Sequence, residues 1–247
     1  MRVACTTQRD HEWFAAKCGR VGASGVAKVM NFLKSGKSSA ERDKYMLEVA
    51  CELITGTQQE HYVSQAMEIG IQYESEARRA YFLRTGVDPK QTGFVLHPTL
   101  DYFGASPDGL LGKDGVLELK CPLPSTHWAY IRDGVVPDIY VPQVQAQMLC
   151  CERQYADFVS YCPPELYPDV PARFRLFIKR IEASPQLHRA MEDAVTTFMG
   201  EVAALVKKLD AACPELPKEA DDDLGELGLT DADIAWAAGG FKKEEMP

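Results

Sequence analysis

The chain has 247 residues, 46% of them apolar and 26% charged, and a net charge of −9. That is ample apolar material for a core. No run of about 18 apolar residues occurs and "MRVACTTQRD" lacks an apolar signal core, which argues against membrane insertion and secretion and makes the cytoplasm the expected place. The eight cysteines form no CxxC pair, so reduced thiols are expected. An iron–sulfur cluster drawing on Cys150, Cys151, Cys162 and a distant fourth cysteine would have to tolerate irregular spacing.

The charge is unevenly spread. From Cys213 to Pro247 ten acids stand against three lysines, so that segment carries −7 and the other 212 residues only −2. Residues 1 to 60 hold nine basic side chains against seven acids, which leaves room for a phosphate-facing patch despite the acidic total.

Residues 38–55 have helical spacing (Met46, Leu47, Ala50, Leu53, Ile54), with Ser38 and Glu41 as a capping box. A second helix is expected over 64–85. It carries Met67, Ile71, Glu74, Ala77, Arg78 and Tyr81 along one side and ends at Gly86. The period then shortens, predicting strands at 92–97, 101–106, 115–121, 155–162 and 174–181 with a helix around 141–152. Together these predict a mixed α/β fold, a central mixed β-sheet flanked by helices. A helix from Pro185 to Leu209, striped by Leu187, Met191, Val195, Phe198 and Val202, closes a domain of residues 1–212. Residues 213–247 form an acidic accessory segment in which "LTDADIAWAAGG" reads as a short capped helix. Trp13, Phe82, Phe103 and Trp128 are expected in the core or an interface. His97 and His127 lack zinc-ligand spacing.

The stretch "GASPDGLLGKDGVLELKCP" (104–122) is not ordinary core. It reads as two strands joined by a glycine-rich turn, and alternation puts Glu118 and Lys120 on one face, with Leu117 and Leu119 on the other. A hairpin would return Asp108 to the same edge. Two carboxylates and a backbone oxygen suit Mg²⁺, and a lysine beside them could hold or polarise an attacking water. An isolated E-x-K would read as an exposed ion pair beside an Asp-Gly turn, but "VLELK" is otherwise apolar, and charges facing inward need partners.

"SPDGL", "LELKCP" and "QVQAQM", preceded by "GIQYESEAR" and by a tryptophan leading into "GASGVAKV", resemble the phage lambda exonuclease or YqaJ-type viral recombinase nucleases. These belong to the PD-(D/E)XK superfamily, so the resemblance implies a restriction-endonuclease-like core. It further implies a 5′-to-3′ double-strand DNA exonuclease dependent on Mg²⁺, with two ions per site and Mn²⁺ as a substitute. The product would be a 3′ single-stranded overhang for recombination beside a single-strand annealing protein. A homotrimeric ring and a phage-infected or bacterial cell are implied as well. By matching motifs, Asp108, Glu118 and the Leu119 carbonyl would bind metal and Lys120 would assist the water. Glu74 and Gln143 would complete the site, although Gln143 or Gln145 could instead cap neighbouring backbone. Ser24 and Ser106 would hold the 5′ phosphate with Lys17 or Arg20, Lys34 would contact the DNA backbone, and Met67 would wedge at the terminal bases. The same core also serves endonucleases and flap or single-strand nucleases. A DNA-encircling protein without catalysis is a further alternative.

Overall fold

The computed structural model describes residues 1–33, 35–58 and 65–213, the side chains of 65–67 aside; Lys34, the Met67 side chain and the expected tail helix lie outside them. The chain divides into one unit spanning Met1–Val206 and a second spanning Lys207–Pro247.

Strands β1 (Arg2–Val3), β2 (Val21–Gly22), β3 (Val95–Leu96) and β4 (Phe103–Ala105) form a small sheet in the order β1-β3-β4-β2. Strands β5 (Gly109–Leu111), β6 (Gly115–Lys120), β7 (Tyr155–Tyr161) and β8 (Leu176–Glu182) form a second in that order. Both are mixed: β2–β4 and β6–β7 run parallel and the other pairs antiparallel. Strand pairing thus yields two four-stranded sheets where the sequence predicts one. β1 and β2 have only two residues each, too few for alternation to register, while β3 is the two-residue centre of the strand expected at 92–97.

Helix α1 (His11–Lys17) is capped by Asp10, whose carboxylate accepts the Trp13 N–H. α2 (Val26–Val29) follows a 3-10 turn at Ala23–Gly25. α3 (Ala40–Thr55) starts one residue later than the predicted capping box allows. Ser39 is its cap and accepts from the Arg42 N–H, while Ser38 turns to Asp43 and Glu41 to Asn31. α4 (Gln65–Thr85) ends at Gly86, whose φ of 74° supplies the left-handed stop.

Tyr73, Ala77 and Tyr81 of α4 pack with Leu117, Leu119 and Val159 on one face of the second sheet. Ile71, expected on that side, is exposed. On the other face α6 (Val141–Cys151) brings Val144 and Met148 against Val116 and Ala156. α7 (Pro185–Ala212) buries Met191, Val195, Phe198 and Val202 against Val21, Val49 and Phe103. α5 (Pro124–Asp133), which the sequence reading lacks, buries His127 between the Ser160 hydroxyl and the Phe174 carbonyl. Phe103 is core, whereas Phe82 and Trp128 are exposed. The eight cysteines are free, with Cys150, Cys151 and Cys162 buried. Among the described residues no helix is long and apolar enough to cross a membrane.

Candidate active site

β5 begins at Gly109, paired with Leu117, so one further step along the register sets Asp108 against Glu118. The Asp108 N–H donates to the Leu117 carbonyl (3.0 Å), and the Asp108 carboxylate accepts the Leu119 N–H at 2.6 Å. Asp108 thereby satisfies the ladder donor left where β5 stops. Alternation along β6 keeps the Leu119 carbonyl on that same edge. Like charges set opposite one another on paired strands repel, so this arrangement costs energy unless cations answer it.

Glu118 is 2% exposed, and both its oxygens are engaged. Oε1 meets Lys120 Nζ at 2.5 Å and accepts from Gln143 Nε2 at 2.6 Å, while Oε2 accepts from Gln147 Nε2 at 2.5 Å. Gln143 and Gln147 lie one turn apart on α6 and so face the same way. Gln145, between them, caps backbone elsewhere, donating to the Glu182 carbonyl and accepting from the Ser184 N–H. Burial opposes the charge on Lys120, but Glu118 and Asp108 outweigh it and hold the ammonium pKa above that of an ordinary lysine. The ammonium also lies 4.8 Å from the centre of the Tyr140 ring.

Glu74 arrives from α4. It accepts from Arg78 (2.5 Å) and from Arg9, and Arg78 also donates to the Asp108 carbonyl at 3.0 and 3.2 Å. Arg78 therefore ties α4 to the turn before β5. Burial first, then Glu118 and Glu74, push the Asp108 carboxyl well above the usual carboxylate range, against Lys120 and the Leu119 N–H. Among the described residues no group of three or more His, Cys, Asp or Glu is arranged to hold a metal ion. What remains is two carboxylates and a backbone carbonyl, a donor set suited to a hard cation that keeps several waters. A cation held there would favour the charged form of Asp108 that burial and its acidic neighbours oppose.

A cavity of about 150 Å³ beside this cluster is lined by Lys17, Ser24, Ser106, Trp13, Gln143 and Gln147, among others. Trp13, expected as core or interface, donates its indole N–H to the Ser106 hydroxyl (2.8 Å), and Lys17 Nζ stands 3.8 Å from the Trp13 ring centre. Burial, opposed by Glu52, lowers the Lys17 pKa to about 8. Arg20 does not line the cavity; its guanidinium donates to the Asp101 and Ala16 carbonyls, each at 2.8 Å. A larger cavity of about 530 Å³, lined by His97, His188, Glu192 and Arg153 among others, contains none of the predicted residues. Sequence reasoning missed Arg78 and Gln147 as members of the cluster. The Q-x(3)-Q spacing in "QVQAQ" was the available signal for Gln147.

The model of the YqaJ-like viral recombinase domain matches residues 12–154, a span that includes Lys17, Glu74, Asp108, Glu118, Lys120 and Gln143. The chain belongs to that family. An alkaline exonuclease from Laribacter hongkongensis, LHK-Exo, is 39% identical over 82% of this chain and 97% of its own, with a TM-score of 0.74. The same enzyme in complex with dAMP matches equally. A phage-related exonuclease from Haemophilus somnus, 14% identical over 77% of this chain and 96% of its own, shares the fold with a TM-score of 0.62. Comparison with curated proteins returned no match. The fold of this YqaJ-like protein is accordingly the mixed α/β PD-(D/E)XK fold.

Proposed function

We propose that this YqaJ-like chain is a DNA exonuclease that uses Mg²⁺ to remove nucleotides from the 5′ end of one strand of a duplex, leaving a 3′ overhang for strand annealing. The observation that carries the reading is the convergence of Asp108, Glu118 and Lys120 at the open end of β6, tied together by the Leu119 N–H and the Lys120 ion pair. Asp108, Glu118 and the Leu119 carbonyl would hold the metal, with Mn²⁺ as a substitute. Bound there, it would supply Lewis acidity and stabilise charge on the phosphoryl oxygens.

The protein groups do the rest. Lys120, kept protonated by its carboxylate neighbours, orients the water and offers positive charge to the phosphate under attack. Gln143 keeps Glu118 aligned, and Glu74 and Arg78 fix the turn that carries Asp108. Lys17, Ser24 and Ser106 form the pocket for the 5′-terminal phosphate. A trimeric ring and an annealing partner, inherited from the family pattern, belong to the same proposal, as does the acidic 213–247 segment that its composition sets apart as accessory to a 1–212 nuclease domain.

Digestion of end-labelled linear duplex with Mg²⁺, resolved by time and polarity, tests it. Mononucleotides released from the 5′ strand are expected, and closed circular duplex should survive. Rapid cutting of closed circles would replace this reading with an endonuclease.

A further inference from the structure

We infer that Gln147 is a positioning residue that orients the Glu118 carboxylate, a role resting on the reading of Asp108 and Glu118 as the cation-holding pair. Glu118 Oε1 is shared between Lys120 and Gln143, whereas Oε2 is met by the Gln147 amide at 2.5 Å. A carboxylate only accepts, so the NH₂ end of Gln147 must face it. Among the described residues the Gln147 carbonyl, in a side chain only 1% exposed, is then left buried without a hydrogen-bond partner.

That orphaned carbonyl shows what the residue is for. The neighbours of Gln147 on α6 include the buried apolar Val144 and Met148, and a methionine at 147 would fill the same space with no unsatisfied oxygen. Packing alone would therefore favour the apolar side chain, so the amide is retained for its donor. A neutral donor is the type that suits the task. It engages the second carboxylate oxygen without adding another positive charge beside the one that Lys120 already sets against Oε1. Gln143 and Gln147, one helical turn apart, thus grip one carboxylate at both oxygens.

Two variants test this. Gln147→Met removes the N–H at constant length. Gln147→Glu keeps the shape but donates only while protonated. The readouts are Mn²⁺ binding to the DNA-free protein by titration calorimetry, Mg²⁺ half-saturation of nucleotide release, and thermal melting in chelator. Folded Gln147→Met is expected to need roughly 10- to 100-fold more of either ion, the usual cost of removing a group that orients a metal ligand. Unchanged Mn²⁺ affinity and Mg²⁺ half-saturation would overturn the inference.

For Gln147→Glu, the new carboxyl faces Glu118, so its neutral form is favoured in the folded state. Its melting temperature should approach that of the wild type near pH 4 and fall away as pH rises. A profile parallel to wild type would overturn the contact even if Gln147→Met fails to fold. Should the wild type bind Mn²⁺ and show these differences but release no nucleotides, the exonuclease reading falls while the positioning of Glu118 stands.

Discussion

Two acids of the second sheet, Asp157 on β7 and Asp108 in the turn before β5, lead opposite lives. Asp157 on β7 lies in register with Leu117, one residue before Glu118. It is closed on all sides: Arg180 donates to both its oxygens at 2.7 and 2.9 Å, and the Tyr81 hydroxyl donates at 2.7 Å. The hydrogen bonds from Arg180 to Asp157 raise the guanidinium pKa further. One carboxylate meets one cation there, and the books close. Around Asp108, Arg9 and Arg78 pair with Glu74 and Lys120 pairs with Glu118, so among the described residues no cation forms an ion pair with the Asp108 carboxylate itself. The Asp108 carboxyl is driven up as a result. What separates the two acids is the partner: a guanidinium meets both Asp157 oxygens, whereas the Asp108 carboxylate accepts from the backbone N–H of Leu119.

The largest expected effect breaks this contrast from the Asp108 side. Asp108→Ala or Lys120→Ala should lower Mg²⁺-dependent nucleotide release by at least about 10³-fold, the scale of removing a stabiliser of transition-state charge, with the assembled protein intact. Wild-type turnover in either would move the site elsewhere. Asp157→Asn should do the reverse. It should cost stability, by about 2 kcal/mol because Arg180 is half exposed, with turnover of the folded protein within a few-fold of wild type. Urea denaturation alongside the nuclease assay separates the two losses.

Smaller effects sharpen the picture at the neighbouring cavity. With a pKa of about 8, Lys17 is charged below that pH and neutral above it. The preference for 5′-phosphorylated over unphosphorylated ends should therefore be largest below pH 8 and shrink as pH rises towards 10. Lys17→Met should flatten that profile, and a pH-independent ratio in the wild type would remove the lysine from the pocket. Ser24→Ala and Ser106→Ala should each reduce the preference by about tenfold, the low end of what one hydrogen bond to a charged group supplies. Arg20→Ala should leave it within twofold, since that guanidinium is spent on backbone carbonyls.

Much of this was legible from spacing. The stripe on α7 and the glycine stop after α4 follow from local periodicity and from one residue type that tolerates positive φ, and both appear where the sequence puts them. The alternation of Glu118 with Leu119 is of the same kind. Strands of two residues carry no period, so β1 and β2 and the split into two sheets were not readable, whereas β3 falls inside the strand expected at 92–97. The choice of Ser39 over Ser38 as cap turned on which hydroxyl reached the Arg42 N–H. That Glu76 accepts from the Tyr161 hydroxyl follows from α4 lying across the sheet, which no local spacing shows.

By itself the sequence determined which residues carry charge on β6, which face they share, and that Asp108 could return to them, because pleat and hairpin geometry are local properties of the chain. Only the tertiary structure decided that Gln147 rather than Gln145 joins Gln143 at Glu118, that Arg78 bridges Glu74 to Asp108, and that Lys17 rather than Arg20 lines the cavity. Those choices depend on how α1, α4 and α6 are set against the sheet. Such placement comes from packing between distant segments, which no short-range pattern encodes.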